Sequence, residues 1–273
     1  MAVNLTPTIA MDFAALSNLE KEMPHSGYVE YIFYKSKDNK NAIFEKLENY
    51  DKWQYPECWK ARYWLNYIKH GNLLKNKNIL EIGSNFNFQS VCSINAGAKS
   101  VHGLEPHVER FDLGNEYVSL KKLSDQITNS NISFEEYMEN YDGKKYDVIF
   151  FQDVLYYLQN PLKVMRFIKK YLKPKILFLE STVVDDINEN GHFQLITENL
   201  LDTIESQIWA NDEGTLSLCP SRNVLRNIIN SHGWKILTYY NYKDFIGHGE
   251  SAPRKNGKKD YYILENTDEQ NGF

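Results

Sequence analysis

Three groups of residues in this 273-residue chain have the types and spacing to do chemistry. In the first, Glu81-Ile-Gly83-Ser84-Asn85-Phe86-Asn87, an apolar run ends on a carboxylate and turns at a glycine. A second apolar run ends at Glu105-Pro106, 22 residues after Gly83. One strand–helix–strand unit of that length sets a glycine turn under a ligand and a second carboxylate beside a ribose diol. The second group follows another apolar run and comprises Gln152, Asp153, Tyr156 and Tyr157. The third is His248, between Gly247 and Gly249. Asp153, Tyr156, Tyr157 and His248 could each move a proton in a positioned site. Packing is the plain alternative for each tyrosine, and a surface position for His248.

The loop discriminates between cofactors. A dinucleotide fingerprint needs glycine at its first, third and sixth positions, here Gly83, Asn85 and Phe88. The last glycine serves close helix–strand packing, which phenylalanine cannot provide. S-adenosylmethionine (SAM) has no phosphate. It needs close backbone approach at Gly83 and a carboxylate for its ribose. Asn85 and Asn87 stand where small residues are expected, and asparagine tolerates left-handed backbone angles best among the non-glycine residues.

The elements that must hold these groups alternate between strands and helices from Lys75 onward. Period-2 and apolar runs predict strands at 78–82, 100–104, 132–134, 146–151, 175–179, 235–240 and 261–264. Helices are expected at 88–96, from 107 to about 123, from Asn160-Pro161 to Pro174, and at 221–231. Alternation of this kind implies an α/β, doubly wound parallel sheet with helices on both faces. The last two strands lack an intervening helix, so one antiparallel strand is expected at the sheet edge. Residues 1–72 read as an N-terminal helical cap, with helical spacing at 12–22, 43–47 and 59–68, and residues 73–273 as the ligand-binding domain.

Composition narrows the class. The net charge of −5 argues against a nucleic-acid binder. Arg254-Lys-Asn-Gly-Lys258-Lys259 is the best basic patch and reads as a solvated hairpin loop. Cys58, Cys92 and Cys219 are odd in number and far apart, which fits a reducing compartment without disulfides or zinc. No ligand-spaced His, Cys or acidic cluster suggests a metal. With neither a signal peptide nor an apolar run of about 18 residues, the expected location is cytoplasmic, away from membranes.

At this point the chain resembles the class I SAM-dependent methyltransferases. It looks most like the subgroup of tRNA wobble-uridine carboxymethyltransferases and their small-molecule relatives. The matching segments are Ile79–Asn85, Gly97–Pro106, Tyr146–Pro161, Leu177–Ser181 and Cys219–Ser221, in the family's order. The resemblance implies a Rossmann-like, seven-stranded sheet with one antiparallel strand. It places the cofactor on Glu81, Gly83, Ser84, Asn85, Asn87, Glu105 and Pro106. The adenine would lie at Tyr137 and Met138, and the methionine end at Gln152 and Asp153, with Arg62 near the cofactor carboxylate. Two departures stand out: Phe86-Asn87 replaces the family's usual Asp-Gly, and Tyr156-Tyr157 its frequent Tyr-His.

The expectation is therefore methyl transfer from SAM, with S-adenosylhomocysteine (SAH) as product, to oxygen or nitrogen of a small polar acceptor. Tyr156, Glu180, Trp209, Asn211 and Ser221 are the acceptor-side candidates. Trp53, Tyr55 and Trp59 could add aromatic walls. A tRNA-modifying transferase is the alternative, disfavoured by the acidic charge, and an inactive SAM-fold binding protein is a third reading. The oligomeric state is open, a homodimer being one option.

Overall fold

The computed structural model describes residues 62–197, 216–241 and 258–267 of the chain. The chain divides into two compact units, Met1–Asn72 with Asn241–Gly257, and Leu73–Tyr240 with Lys258–Phe273. In the first unit, the segment Trp64–Lys69 is a π-turn rather than a regular helix. Tyr63 and Tyr67 stack there, with ring centroids 6.1 Å apart.

The second unit is built on a seven-stranded sheet. Its strands are β1 (Asn78–Ile82), β2 (Ser100–Leu104), β3 (Ile127–Ser130), β4 (Val148–Gln152), β5 (Ile176–Thr182), β8 (Trp234–Asn241) and β9 (Lys259–Asn266). Their spatial order is β3-β2-β1-β4-β5-β9-β8. The β1–β2, β1–β4, β2–β3 and β4–β5 pairs are parallel. β9 runs antiparallel to β5, with Glu180 opposite Tyr261 and Thr182 opposite Lys259. The expected antiparallel strand is thus present in the edge pair, inserted between β5 and β8.

Helices α1 (Phe88–Asn95), α2 (Val108–Leu120), α3 (Phe134–Glu139), α4 (Pro161–Phe167) and α5 (Arg222–Ser231) cover the sheet. Side chains alternate across a strand. Leu80, Ile82, Ile149, Phe151, Leu177, Leu179 and Tyr262 therefore join one core with α3, α4 and α5. Ile79, Phe150, Phe178 and Tyr261 alternate with them and are buried too, and the Phe150 and Phe178 rings lie 4.7 Å apart. Continuous apolar runs such as Val148-Ile-Phe-Phe151 reflect burial on both faces.

Two local expectations change. The strand expected at 132–134 lies at Ile127–Ser130, because Ser133 caps α3 instead. Its hydroxyl accepts from Glu136 N at 3.1 Å, and Glu136 Oε2 accepts from Ser133 N at 2.7 Å. A capping box satisfies two helix-end donors at once and starts a helix where strand alternation was read. The second change is a separate two-stranded antiparallel sheet, β6 (Phe193–Thr197) with β7 (Leu216–Pro220). It falls where only a connecting segment was expected. After Phe167, α4 widens into a π-turn over Ile168–Leu172 and ends at Lys173 (φ 49°), before Pro174.

Candidate functional site

In open α/β sheets, ligands bind outside the carboxyl ends of the parallel strands where the strand order reverses. Here that point lies between β1 and β4, and the residues following β1, β2, β4 and β5 converge on it. Gly83 ends β1 with φ 75°, and its amide donates to Leu104 O at 2.9 Å. A Cβ at Gly83 would meet Val154 Cγ2 at 2.7 Å. Only glycine suits both that angle and that clearance. Ser84 also donates its amide to Leu104 O, at 2.9 Å, so the loop is tied to the end of β2. Asn85 (φ 51°) and Asn87 (φ 58°) both adopt the left-handed conformation. The loop keeps a glycine-like path with asparagine side chains.

Glu105 follows β2 and is 3% exposed. Its carboxylate accepts from Asn85 N at 2.8 Å and from His107 N at 3.0 Å, one on each oxygen. Asn131 Nδ2 holds the Glu105 and Pro106 carbonyls at 2.8 and 3.1 Å. Burial raises the Glu105 pKa, opposed by the His107 amide, the Arg110 guanidinium and the Asn85 amide. The carboxylate is pre-oriented, and each oxygen keeps a lone pair for a further donor. Together with the Gly83 cradle, this fits the ribose and backbone-approach needs of SAM. Pro106 itself is exposed. Buried Arg110 was not singled out from sequence; its position in the first turn of α2, five residues after Glu105, is the signal that could have found it.

Glu81 faces the root of the same loop, accepting from the Ser90 hydroxyl and from Gln89 Nε2 at 3.1 Å. It ties the start of α1 to β1. Asn87 is 1% exposed and its side-chain amide has no hydrogen-bond partner. Tyr137 and Met138 are buried on α3. The Tyr137 hydroxyl lies 3.4 Å from that of Tyr146, which lies 2.6 Å from His102 Nδ1, while His102 Nε2 reaches Ser130 Oγ at 2.9 Å. Burial and the nearby Lys144 push the His102 pKa down to about 4.

On the other side of the switch point, Gln152 is buried at the end of β4 and Asp153 follows in the left-handed region, at φ 61°. Asp153 N donates to Glu180 O at 3.0 Å. The Asp153 side chain is one-fifth exposed and Glu180 is fully buried. Between them lies Lys259 Nζ, ion-paired to Asp153 Oδ1 and 3.4 Å from Glu180 Oε1. Lys259 was expected in a solvated loop. Instead it opens β9, buried, because antiparallel pairing to β5 carries it in opposite Thr182. Lys258 is exposed, 3.7 Å from Asp185.

Tyr156 is buried against Val184 and Cys219, and Tyr157 is half-buried beside it, with ring centroids 4.3 Å apart. Tyr156 OH reaches Asp153 Oδ1 at 3.4 Å. Burial first, then Asp153, raises its pKa well above the usual phenol value. Ser221 is fully buried, its hydroxyl accepting from His192 N at 3.0 Å and its amide donating to His192 O at 2.7 Å. It joins the small sheet to α5. Arg62 is buried within the first unit. Trp53, Tyr55, Trp59, Trp209, Asn211 and His248 lie outside the described residues. Among the described residues, no group of three or more His, Cys, Asp or Glu could hold a metal ion, and no helix is long and apolar enough to cross a membrane.

A β3-β2-β1-β4-β5 parallel sheet with an antiparallel strand beyond β5 is the fold of the class I SAM-dependent methyltransferases. Residues 28–239 match the methyltransferase domain family, and the chain belongs to it. Solved structures bear out the fold. The magnesium protoporphyrin IX methyltransferase from Synechocystis PCC 6803 with bound SAH superimposes with a TM-score of 0.52 at 14% identity, covering 92% of this chain and 99% of that one. An S-adenosylmethionine dependent methyltransferase from Mesorhizobium loti gives 0.50 at 11% identity, covering 70% and 92%. Curated relatives include tRNA U34 carboxymethyltransferases. That of Campylobacter curvus (strain 525.92) is 23% identical over 208 residues, 70% of this chain and 66% of the relative. That of Helicobacter pylori (strain HPAG1) is 27% identical over 131 residues, 46% and 49%. The chain thus spans about half to two thirds of the length of these two relatives.

Proposed function

We propose that this methyltransferase moves the methyl group of SAM to an oxygen or nitrogen of a small polar acceptor, held beside the ends of β4 and β5. SAM supplies an already activated methyl carbon, so the protein's task is alignment and proton removal. In the proposed reaction the carbon–sulfur bond breaks as the carbon–oxygen or carbon–nitrogen bond forms, and the acceptor's proton passes to Asp153. Glu105 would hold the ribose hydroxyls and Gly83 the close backbone approach, while Gln152 would flank the methionine end. Tyr157 would face the acceptor side; Glu180, fully buried, would not. The observation that carries this reading is Asp153. A partly exposed carboxylate is kept in a costly left-handed backbone at the switch point, 3.0 Å from the end of β5 through its own amide. Strain of this kind costs on the order of 1–3 kcal/mol and gathers at functional sites. Calorimetry with SAM and SAH tests the cofactor half of the proposal; no binding of either at millimolar ligand would refute it.

An RNA acceptor is the second reading, favoured by the curated relatives and by one structural feature. Exposed Lys145 and Lys170 lie over the Tyr141 and Tyr171 rings, 5.6 and 5.2 Å from their centroids, beside the ring contacts Tyr141–Phe167 and Phe167–Tyr171, both 5.2 Å. A gel shift with bulk tRNA separates the readings. A retarded band that weakens steeply with salt supports RNA, because phosphate contacts release counterions. No retardation at low salt leaves the small acceptor.

A further inference from the structure

We propose that Lys259 is a positioning residue for the methyl-transfer site, holding Asp153 ionised and aimed at the acceptor; this rests on the function proposed above. The Lys259 side chain is 8% exposed, yet its ammonium is ion-paired with Asp153 and lies 3.4 Å from Glu180. Burying an ammonium is costly unless it is paired, and burying two carboxylates side by side is costly unless a cation separates them. Asp153 and Glu180 are neighbours through the backbone as well, Asp153 N donating to Glu180 O at 3.0 Å. With no cation between them, two such carboxylates share a proton. Lys259 removes that option. It comes from the strand that is antiparallel to β5, 106 residues beyond Asp153, and no motif of the methyltransferase segments includes it.

The geometry divides the labour. Glu180, with no exposed surface, is the inner anchor of the ammonium. Asp153 is the outer partner and retains an exposed face towards the strand ends. The Tyr156 hydroxyl, 3.4 Å from Asp153 Oδ1, faces the same carboxylate from the turn after β4. Lys259 and Tyr156 thus both converge on Asp153 Oδ1.

The test compares Lys259→Met, Lys259→Arg and the double variant Lys259→Met/Glu180→Gln. Infrared difference spectra of the unliganded proteins at neutral pH report whether a carboxyl group has taken up a proton. Lys259→Met should show a protonated-carboxyl band that the wild type, Lys259→Arg and the double variant lack. In the double variant no second carboxylate presses on Asp153, so its charge returns without the lysine. In turnover, Lys259→Met should lose at least tenfold in kcat with little change in KM for SAM, and the acid limb of its pH profile should move up. Lys259→Arg should recover most of the rate. A Lys259→Met protein with no such band and a wild-type pH profile would overturn the proposal. Should Lys259→Met not fold, the double variant decides: a persistent protonated-carboxyl band in it counts against charge separation as the role of Lys259. The infrared measurement needs neither cofactor nor acceptor. Failure of the wild type to bind SAM would therefore refute the function while leaving the Lys259 result readable.

Discussion

Glu105 shows how much of a site one side chain can carry. Its two oxygens are each fixed by a backbone amide, at 2.8 and 3.0 Å, so the ribose proposed to bind there would meet a carboxylate that need not reorganise. Glu105→Gln puts an amide NH2 where one backbone N–H now points and removes a charged acceptor. Hydrogen bonds to charged groups are worth about 1.5–3 kcal/mol, so SAM affinity should fall about 10- to 100-fold by calorimetry. The pH dependence has a definite sign. Burial raises the Glu105 pKa, so in the free protein its stability contribution is present at low pH and is lost as pH rises through the folded value. Under the proposed ribose contact SAM binds the ionised form, so its affinity should rise with pH through that same value. The fall on the acid side should begin at higher pH than for an ordinary glutamate, and Glu105→Gln should abolish it.

A second residue-scale relation shows how Asn87 fits the loop. Gly114 sits inside α2, where glycine costs about 1 kcal/mol relative to alanine. A Cβ there would overlap Asn87 Nδ2 and lie 3.2 Å from Asn85 O. The helix glycine makes room for a side chain in a loop position where glycine is usual. Gly114→Ala should destabilise the wild type by more than 1 kcal/mol and cost clearly less in an Asn87→Gly background. A double-mutant cycle by urea denaturation should give coupling of about 1 kcal/mol or more. Additive effects would show that the two positions are independent.

At the scale of elements, the start of α3 decides where the expected adenine-side residues stand. Ser133 and Glu136 cap each other, and Tyr137 and Met138 follow in the next turn. Ser133→Ala should cost about 1 kcal/mol of stability, the usual worth of an N-cap. β2, β3 and the segment before β4 are also linked side by side by His102, Ser130 and Tyr146. Holding His102 neutral down to about pH 4 gives stability that is fully present above its unfolded pKa of about 6.5. That stability drains away as pH falls from there towards 4. His102→Gln should flatten the loss between those limits in acid-titrated denaturation curves. His70, in the other unit and also pushed down to about 4, accounts for slope that remains.

For the whole molecule, SAM should act as a stabilising ligand, because the loop after β1 and the end of β2 meet only in the folded sheet. At a hundredfold excess over Kd the gain is about 2.7 kcal/mol, visible as a rise in Tm in calorimetric melts. A SAM-induced rise without turnover of any acceptor would instead support a binding protein that has lost catalysis, the reading raised by Phe86-Asn87.

Short-range rules govern the features that are legible in the chain alone. Apolar runs became strands, Gly83 and Glu105 fell at strand ends, and Asn160-Pro161 opened a helix. Each depends on neighbours within a turn or two, as strand alternation and helix caps do. The Ser133-Phe-Glu-Glu136 box was equally local and could have been read. Tertiary structure alone decided the rest. Nothing near Lys259 in the chain distinguishes it from Lys258, yet one is exposed and the other lies between two carboxylates. The difference arises from strand order: insertion of β9 beside β5 sets the pairing that turns Lys259 inward. The small β6–β7 sheet beside Tyr156 and the fit of Gly114 to Asn87 have the same origin. They are contacts between segments far apart in the chain, and only the packed sheet brings them together.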